Sequence, residues 1–261
     1  MRPPRHPRHL ATATLALALL LSAAACCKNN CARTASAAST ATATTAPISL
    51  FNGKDLAGWT PRAKDNSADA TGTWAVKNGV ITGTGKPYGC LRTDKRYANY
   101  RLTVEWRWLE GTRGSDEKGN PRPRNSGVFL HTQDTTDGWP DCIEAQLQED
   151  HAGDFIISPA INATELTARR AAAIAAAGAD ETARKKAANT RGLPKKNPSS
   201  EKPAGQWNRY DIVCDGDTIT LTVNGVEQNR LTGLTVREGH IALQAEGAPV
   251  EFRNITLAPL R

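Results

Sequence analysis

From Trp74 to the C-terminus, apolar and polar residues alternate in short runs separated by turn dipeptides, the period-two pattern of antiparallel strands. The clearest run is Tyr100 to Trp108, with Leu102, Val104, Trp106 and Trp108 on one face and Arg101, Thr103, Glu105 and Arg107 on the other. Asn78-Gly79 interrupts the run Trp74 to Thr82, and Asn224-Gly225 interrupts Thr218 to Gln228. Both dipeptides suit the positive φ angles of tight hairpins. His240 to Glu246 and Val250 to Leu257 are the last predicted strands. Many short strands without a βαβ rhythm predict an all-β fold, an antiparallel sandwich or jelly roll in one domain.

One segment, about 163–203, departs from this pattern. Its part from Ala163 to Asn189 carries the run ARRAAAIAAAGADETARKKAAN, strong helix formers apart from Gly178, with Leu166 and Ile174 as the only large aliphatic side chains of that part. The expectation is an exposed helical or partly disordered insertion between two strands, ending at Gly192-Leu193-Pro194; such an excursion is either a functional flap or decoration, and with no chemistry in it decoration is the favoured reading.

The N-terminus changes the picture of where the chain works. Arg2, Arg5 and Arg8 precede an apolar run from Leu10 to Leu21 and the small residues Ser22 to Ala25, the order of a secretory signal. Residues 1–25 are read as a signal peptide, 26–46 as an Ala/Thr/Ser-rich disordered tether, and 47–261 as the sandwich. Acylation of Cys26 would make a periplasmic or outer-membrane lipoprotein; plain cleavage would make a secreted protein. A membrane is expected as partner only through that lipid. Cys26, Cys27 and Cys31 fall outside the predicted fold, and Cys90, Cys142 and Cys214 match no zinc spacing; export makes one bridge among these three chemically possible, and buried free thiols are the preferred reading. Of the net charge of +7, the three leader arginines supply +3 and residues 165–202 supply +5, leaving the remainder at −1. The basicity belongs to one segment, and nucleic acid is not an expected partner.

The stretch Asn125 to Gly153 is the richest in chemistry. On the strand Cys142 to Gln148, Glu144, Gln146 and Gln148 share one face, opposite Ala145 and Leu147. Glu105 with Arg107, Asn125 with His131, and His240 with Gln244 and Glu246 repeat the pattern on other strands. Carboxylate, amide, guanidinium and imidazole groups on a sheet face suit a hydroxyl-rich ligand. Trp59, Trp139 and Trp207 lie in loop-like contexts where an indole can stack on a sugar ring; Trp106 and Trp108 are read as core.

These residues also carry a resemblance. ISLFNGKDLAGWT, TWAVKNGVITGTG, NSGVFLH, IEAQL, AGDF, GQWNRYDIVCDGDTITLTVNGV and IALQAEGAPVEFRNITLAPL, in order from Ile48 to Leu260, resemble the 3-keto-disaccharide hydrolase family, once catalogued as domain of unknown function 1080. That resemblance implies a concanavalin A-like β-sandwich, 3-keto-glucoside lyase and 3-keto-2-hydroxy-glucal hydratase activity, an oxidised sugar or glycoside as substrate, and a functional link to a sugar 3-dehydrogenase. His131 and Glu246 stand where many members carry Arg and His.

A ketone at C3 acidifies the C2 hydrogen, so the C1 substituent can leave by elimination, given a base, an enolate-stabilising donor and an acid. The sequence reading makes Glu144 the base and Glu246 the acid or a second carboxylate, with His131 or Arg107 polarising the carbonyl. Gln146, Asn125, Glu105, Gln244, Trp139 and Trp207 would hold the sugar. A divalent cation on Glu144, Glu246 and an imidazole is an alternative electrophile; no other cofactor is expected. Two rivals stand beside this reading. One is a retaining glucanase, since Glu144 and Glu149 have the outer spacing of such sites although Gln146 replaces the central acid. The other is a non-catalytic glycan-binding module.

Overall fold

The computed structural model describes residues 46–64, 69–133 and 137–260; the predicted leader, and the tether up to residue 45, lie outside the described residues. Two antiparallel sheets face each other. The first runs in the order Val226–Leu231, Thr218–Val223, Asn208–Asp215, Tyr100–Trp108, Val250–Pro259, Val80–Gly83, Trp74–Lys77, with Ile48–Ser49 also paired to Val250–Pro259. The second runs Gly192–Leu193, Phe155–Ile157, Ile143–Gln146, Gly127–Thr132, Glu238–Ala245, Gly89–Thr93, Trp59–Ala63, with Tyr97–Ala98 on the flank of Glu238–Ala245. This is the expected all-β sandwich.

The alternation seen in the sequence creates the core. Leu102, Val104, Trp106 and Trp108 point inward from the first sheet and meet Leu91, Val128, Leu130, Ile143, Ala145, Ile241 and Leu243 from the second, all essentially inaccessible to water. Each large aliphatic or aromatic side chain buried this way contributes roughly 1.5–3 kcal/mol. The hairpin dipeptides behave as expected: Asn78 and Gly79 have φ 54° and 75°, Asn224 and Gly225 φ 49° and 85°. Cys90, Cys142 and Cys214 are buried free thiols.

Two expectations are corrected. Trp59 opens the strand Trp59–Ala63, is buried, and donates from Nε1 to Leu50 O at 2.6 Å, so it is a core residue and not a loop platform. The insertion forms helices Thr164–Ala176 and Glu181–Ala188, the second capped by Asp180 accepting from Ala183 N. It then returns as the strand Gly192–Leu193 on the edge of the second sheet, so it completes a sheet instead of merely decorating it.

Candidate active site

The two sheets leave two outer faces, and the predicted site residues divide between them. On the second sheet, Glu144 and Gln146 point outward, as do Gln244 and His240, because their neighbours Ile143, Ala145, Ile241 and Leu243 fill the core. Cys90, Phe129, Cys142 and Ala242 form a small apolar cluster on the same outer face. Trp139 stands edge-on to Phe129, with ring centroids 6.2 Å apart. Beside this covered part opens a cleft of about 730 Å³ lined by Glu246, Asn125, Gln148, Tyr88, Trp139 and Lys64.

The far wall of the cleft is a short ribbon, Gly114–Ser115 paired with Pro121–Arg122. Its turn is held by Asp116, whose carboxylate accepts from Lys118 N, Asn120 N and Asn120 Nδ2 at 2.8–2.9 Å. It docks beside Glu246 through Ser115 N to Gly247 O (3.0 Å) and Tyr88 Oη to Ser115 O (2.8 Å). Gly247 has φ 81°, and a β-carbon there would meet Ser115 O at 1.9 Å. Only glycine lets the wall come this close.

Glu144 is 8% exposed, and its Oε1 has no hydrogen-bond partner. Burial pushes its carboxyl up to about 8, the nearby Glu246 pushes the same way, and Arg191 opposes both. Glu246 is also raised by burial, but Asn125, Lys64 and Gln244 favour its ionised form; Gln244 Nε2 donates to it at 2.8 Å. Gln146 uses its side-chain carbonyl to accept from Leu147 N and Gln148 N, both at 2.8 Å, closing the strand end. Its amide group is therefore oriented by the backbone, with the NH2 as the end suited to a ligand. Lys64 pairs with Glu117 at 2.8 Å and lies 5.7 Å from the centroid of the Trp139 ring.

Glu144, Gln146 and Gln244 share this outer face but do not line the cleft, and other predicted residues are not on this face at all. Glu105 and Arg107 lie on the outer face of the first sheet, with both core layers between them and Glu144. There Arg107 pairs with Glu251 at 2.6 Å, Arg253 with Glu105 at 2.7 Å, and both guanidinium groups sit over Trp207. A sheet sandwich has two polar faces with the same alternation, and period two alone does not distinguish them. His131 is also displaced. It has φ 49° at a register shift between Phe129 and Thr132, and this irregularity turns its ring inward against Tyr100 instead of outward beside Glu144. Fully buried, with Nδ1 at 3.2 Å from Val236 O, it is held down to about 4 by desolvation.

The cation site imagined from the sequence is not assembled by the side chains. His131 faces the core, His240 directs Nδ1 to Thr93 O at 2.8 Å, and among the described residues no three His, Cys, Asp or Glu side chains converge. The glucanase-like carboxyl pair is likewise not formed by one strand. The strand ends at Gln146, and Glu149 pairs with Arg124 beyond the turn. Sequence reasoning overlooked Lys64, Tyr88 and the ribbon. The polar turn DEKGN between Gly114 and Pro121 was the available signal for the ribbon.

A concanavalin A-like sandwich whose second sheet sets two interacting carboxyls beside an open polar cleft is the class of fold and site seen here. Within that class, the chain belongs to the 3-keto-alpha-glucoside-1,2-lyase-like domain family, whose model matches residues 46–258. Solved structures share the fold. A protein from Parabacteroides distasonis ATCC 8503 ascribed to the glycosyl hydrolases is 20% identical, with TM-score 0.53 over 82% of this chain and 94% of that one. A carbohydrate binding module from Bacillus subtilis is 11% identical, with TM-score 0.50 over 77% and 95%. The Bacillus licheniformis beta-glucanase is 14% identical, with TM-score 0.50 over 82% and 97%. The chain matches no curated protein sequence.

Proposed function

We propose that this protein cleaves 3-keto-glycosides by eliminating the C1 substituent and then hydrating the unsaturated sugar, with Glu246 and Glu144 as the acid–base pair. The observation carrying this reading is that a buried carboxyl, Glu144, and a half-buried one, Glu246, whose charge reaches it, have surroundings that separate their protonation. Glu144, with an unpartnered oxygen and the deeper burial, keeps its proton at neutral pH. Glu246, bonded by Gln244 and Asn125 and facing Lys64, is the better carboxylate. Such divergence marks acid and base partners. It exchanges the roles expected from the sequence alone.

In this scheme Glu246 takes the C2 proton and the electron pair moves into the C2–C3 enolate, whose oxygen is held by the Lys64 ammonium. The enolate collapses to restore the C3 ketone, a C1–C2 double bond forms, and the C1–O bond breaks. Glu144 protonates the leaving oxygen. Water then adds its hydroxyl to C1 after giving a proton to the ionised Glu144, while Glu246 returns its proton to C2, so both carboxyls end as they began. Asn125, the Gln146 amide and Trp139 orient the ring. The same reading keeps the enzyme outside the cytoplasm, supplied by a sugar 3-dehydrogenase.

The test incubates the mature chain with 3-keto-trehalose, 3-keto-sucrose and their unoxidised parents, following release of the second sugar. Turnover of the keto-sugars alone, lost in both Glu144→Gln and Glu246→Gln, supports the scheme. Equal turnover of the parent sugars, or glycan binding without any turnover, overturns it.

A further inference from the structure

The cleft beside Glu246 has a neighbour. Gln148, Arg122 and Pro123 line both it and a second groove of about 670 Å³, which reaches on to Arg113 and His151. The two hollows lie on either side of the ribbon's outgoing leg and share Gln148 as part of their floor. Pairing with the neighbouring chain continues past Gln146, through Leu147 N to Ser126 O and Glu149 N to Arg124 O, both at 2.9 Å. Glu144, Gln146 and Gln148 therefore follow one another along one face, from the buried carboxyl to the second groove.

His151 is the side chain in this groove built most like a recognition group. Its Nδ1 lies 2.9 Å from Asp154 Oδ2, and the ring is about half exposed while the Asp154 carboxyl is largely covered. The other Asp154 oxygen accepts from Lys195 N at 2.8 Å, so the carboxylate that aims the ring is itself fixed. With Nδ1–H given to Asp154, the neutral imidazole turns Nε2 outward as an acceptor for a hydroxyl.

The loop carrying this pair is held at both ends. Gln146 N donates to Asp154 O at 3.0 Å, and His151 N donates to Gln148 O at 2.7 Å. The segment returning from the helical insertion braces it from behind: Lys195 Nζ donates to Asp150 O, Glu201 Oε2 accepts from Asp150 N at 3.1 Å, and Asn229 Nδ2 ties Gly153 O to Pro194 O. Charge in the groove is balanced, with the guanidinium groups of Arg113 and Arg122 against the carboxylates of Glu149 and Asp150, and among the described residues no Phe, Tyr or Trp lines it. A neutral, hydroxyl-rich molecule matches this lining better than an ion or an aryl group.

We propose that the second groove is the binding site of the leaving group, and that His151, aimed by Asp154, recognises its hydroxyls. The inference rests on the reaction proposed above for which part of the substrate lies there; that the groove takes a sugar stands on its own lining.

The test compares wild type and His151→Ala on two substrates, 3-keto-trehalose, whose leaving group is a sugar, and methyl 3-keto-α-glucoside, whose leaving group is methanol. The preference for the first, as a ratio of kcat/KM values, is expected to fall about three- to ten-fold in the variant, the range for one hydrogen bond. An unchanged ratio overturns the inference. If His151→Ala does not fold, Arg113→Ala decides by the same ratio. A second readout needs no turnover: the His151 ring proton resonance, assigned by its loss in the variant, is followed as unoxidised trehalose is added. A saturable shift is expected; no shift, or a shift produced equally by inorganic phosphate, overturns the site. A saturable trehalose shift in a protein that turns over no keto-sugar would uphold the groove as a sugar site and sink the proposed reaction instead.

Discussion

The carboxyl of Glu144 lies over Gly127 on the neighbouring strand, so closely that a β-carbon at Gly127 would come within 2.5 Å of Glu144 Oε1 and 2.9 Å of its Cγ. The glycine of the NSG motif thus serves as the floor on which the acid rests. Gly127→Ala should cost roughly 1–3 kcal/mol through overpacking and should displace the carboxyl. The same change in a Glu144→Ala background should cost much less, because the clash is gone. A double-mutant cycle by urea denaturation checks this, and additive losses would mean the two side chains do not share the space.

Holding Glu144 in this position works against stability. Its folded value of about 8 lies above the ordinary value of 4.5, so the stability it provides is fully present below about 4.5 and is lost as pH rises toward 8. At pH 7 the folded state therefore carries a penalty relative to the unfolded chain. Glu144→Gln removes the titration, and is expected to stabilise by about 1–3 kcal/mol at pH 7 while abolishing turnover. A melting temperature that falls in this variant would contradict the electrostatic account.

His131 gives the opposite pH dependence. With its folded value near 4 and its ordinary value at 6.5, the unfolded chain takes up the proton first as pH falls. Stability should drop between pH 6.5 and 4 and level off below, by about 2 kcal/mol at pH 5. Denaturation of wild type and His131→Gln at pH 7.5 and pH 5 checks this; the variant should lose much of the pH difference. Activity in His131→Gln, corrected for folded fraction, should persist, because the ring faces Tyr100 and not the cleft.

The alternation of residues made the strands and both Asn-Gly hairpins legible, because burial of one face writes a period of two into the chain. It also made Glu144, Gln146, Gln244 and Glu246 legible as neighbours on one polar face. What it could not convey was which of two polar faces a strand presents. Glu105 and Arg107 read like site residues since a solvated Arg–Glu–Trp lattice has the composition of a binding surface. His131 was misread for a different reason: one residue at φ 49° shifts the alternation, and nothing in NSGVFLH signals that turn. The separation of the Glu144 and Glu246 protons was hidden as well, because it depends on how deeply Glu144 is buried and on the contacts that Asn125, Gln244 and Lys64 make with Glu246.

The two faces can be separated by experiment. Trp139 lines the cleft beside Glu246, whereas Trp207 is stacked under Arg107 and Arg253 on the far sheet. If the substrate sits against the second sheet, Trp139→Ala should raise KM about five-fold, matching ~1 kcal/mol of lost ring stacking. Trp207→Ala and Arg107→Ala should leave kcat/KM unchanged. They should cost about 0.5–1 kcal/mol of stability through lost cation–π and ion-pair contacts. Initial rates on a 3-keto-glucoside, read beside thermal melts, distinguish the outcomes. A raised KM in the far-face variants with an unaffected Trp139→Ala would move the site to the first sheet, and the Glu144–Glu246 pair would then be a structural feature of the wrong face.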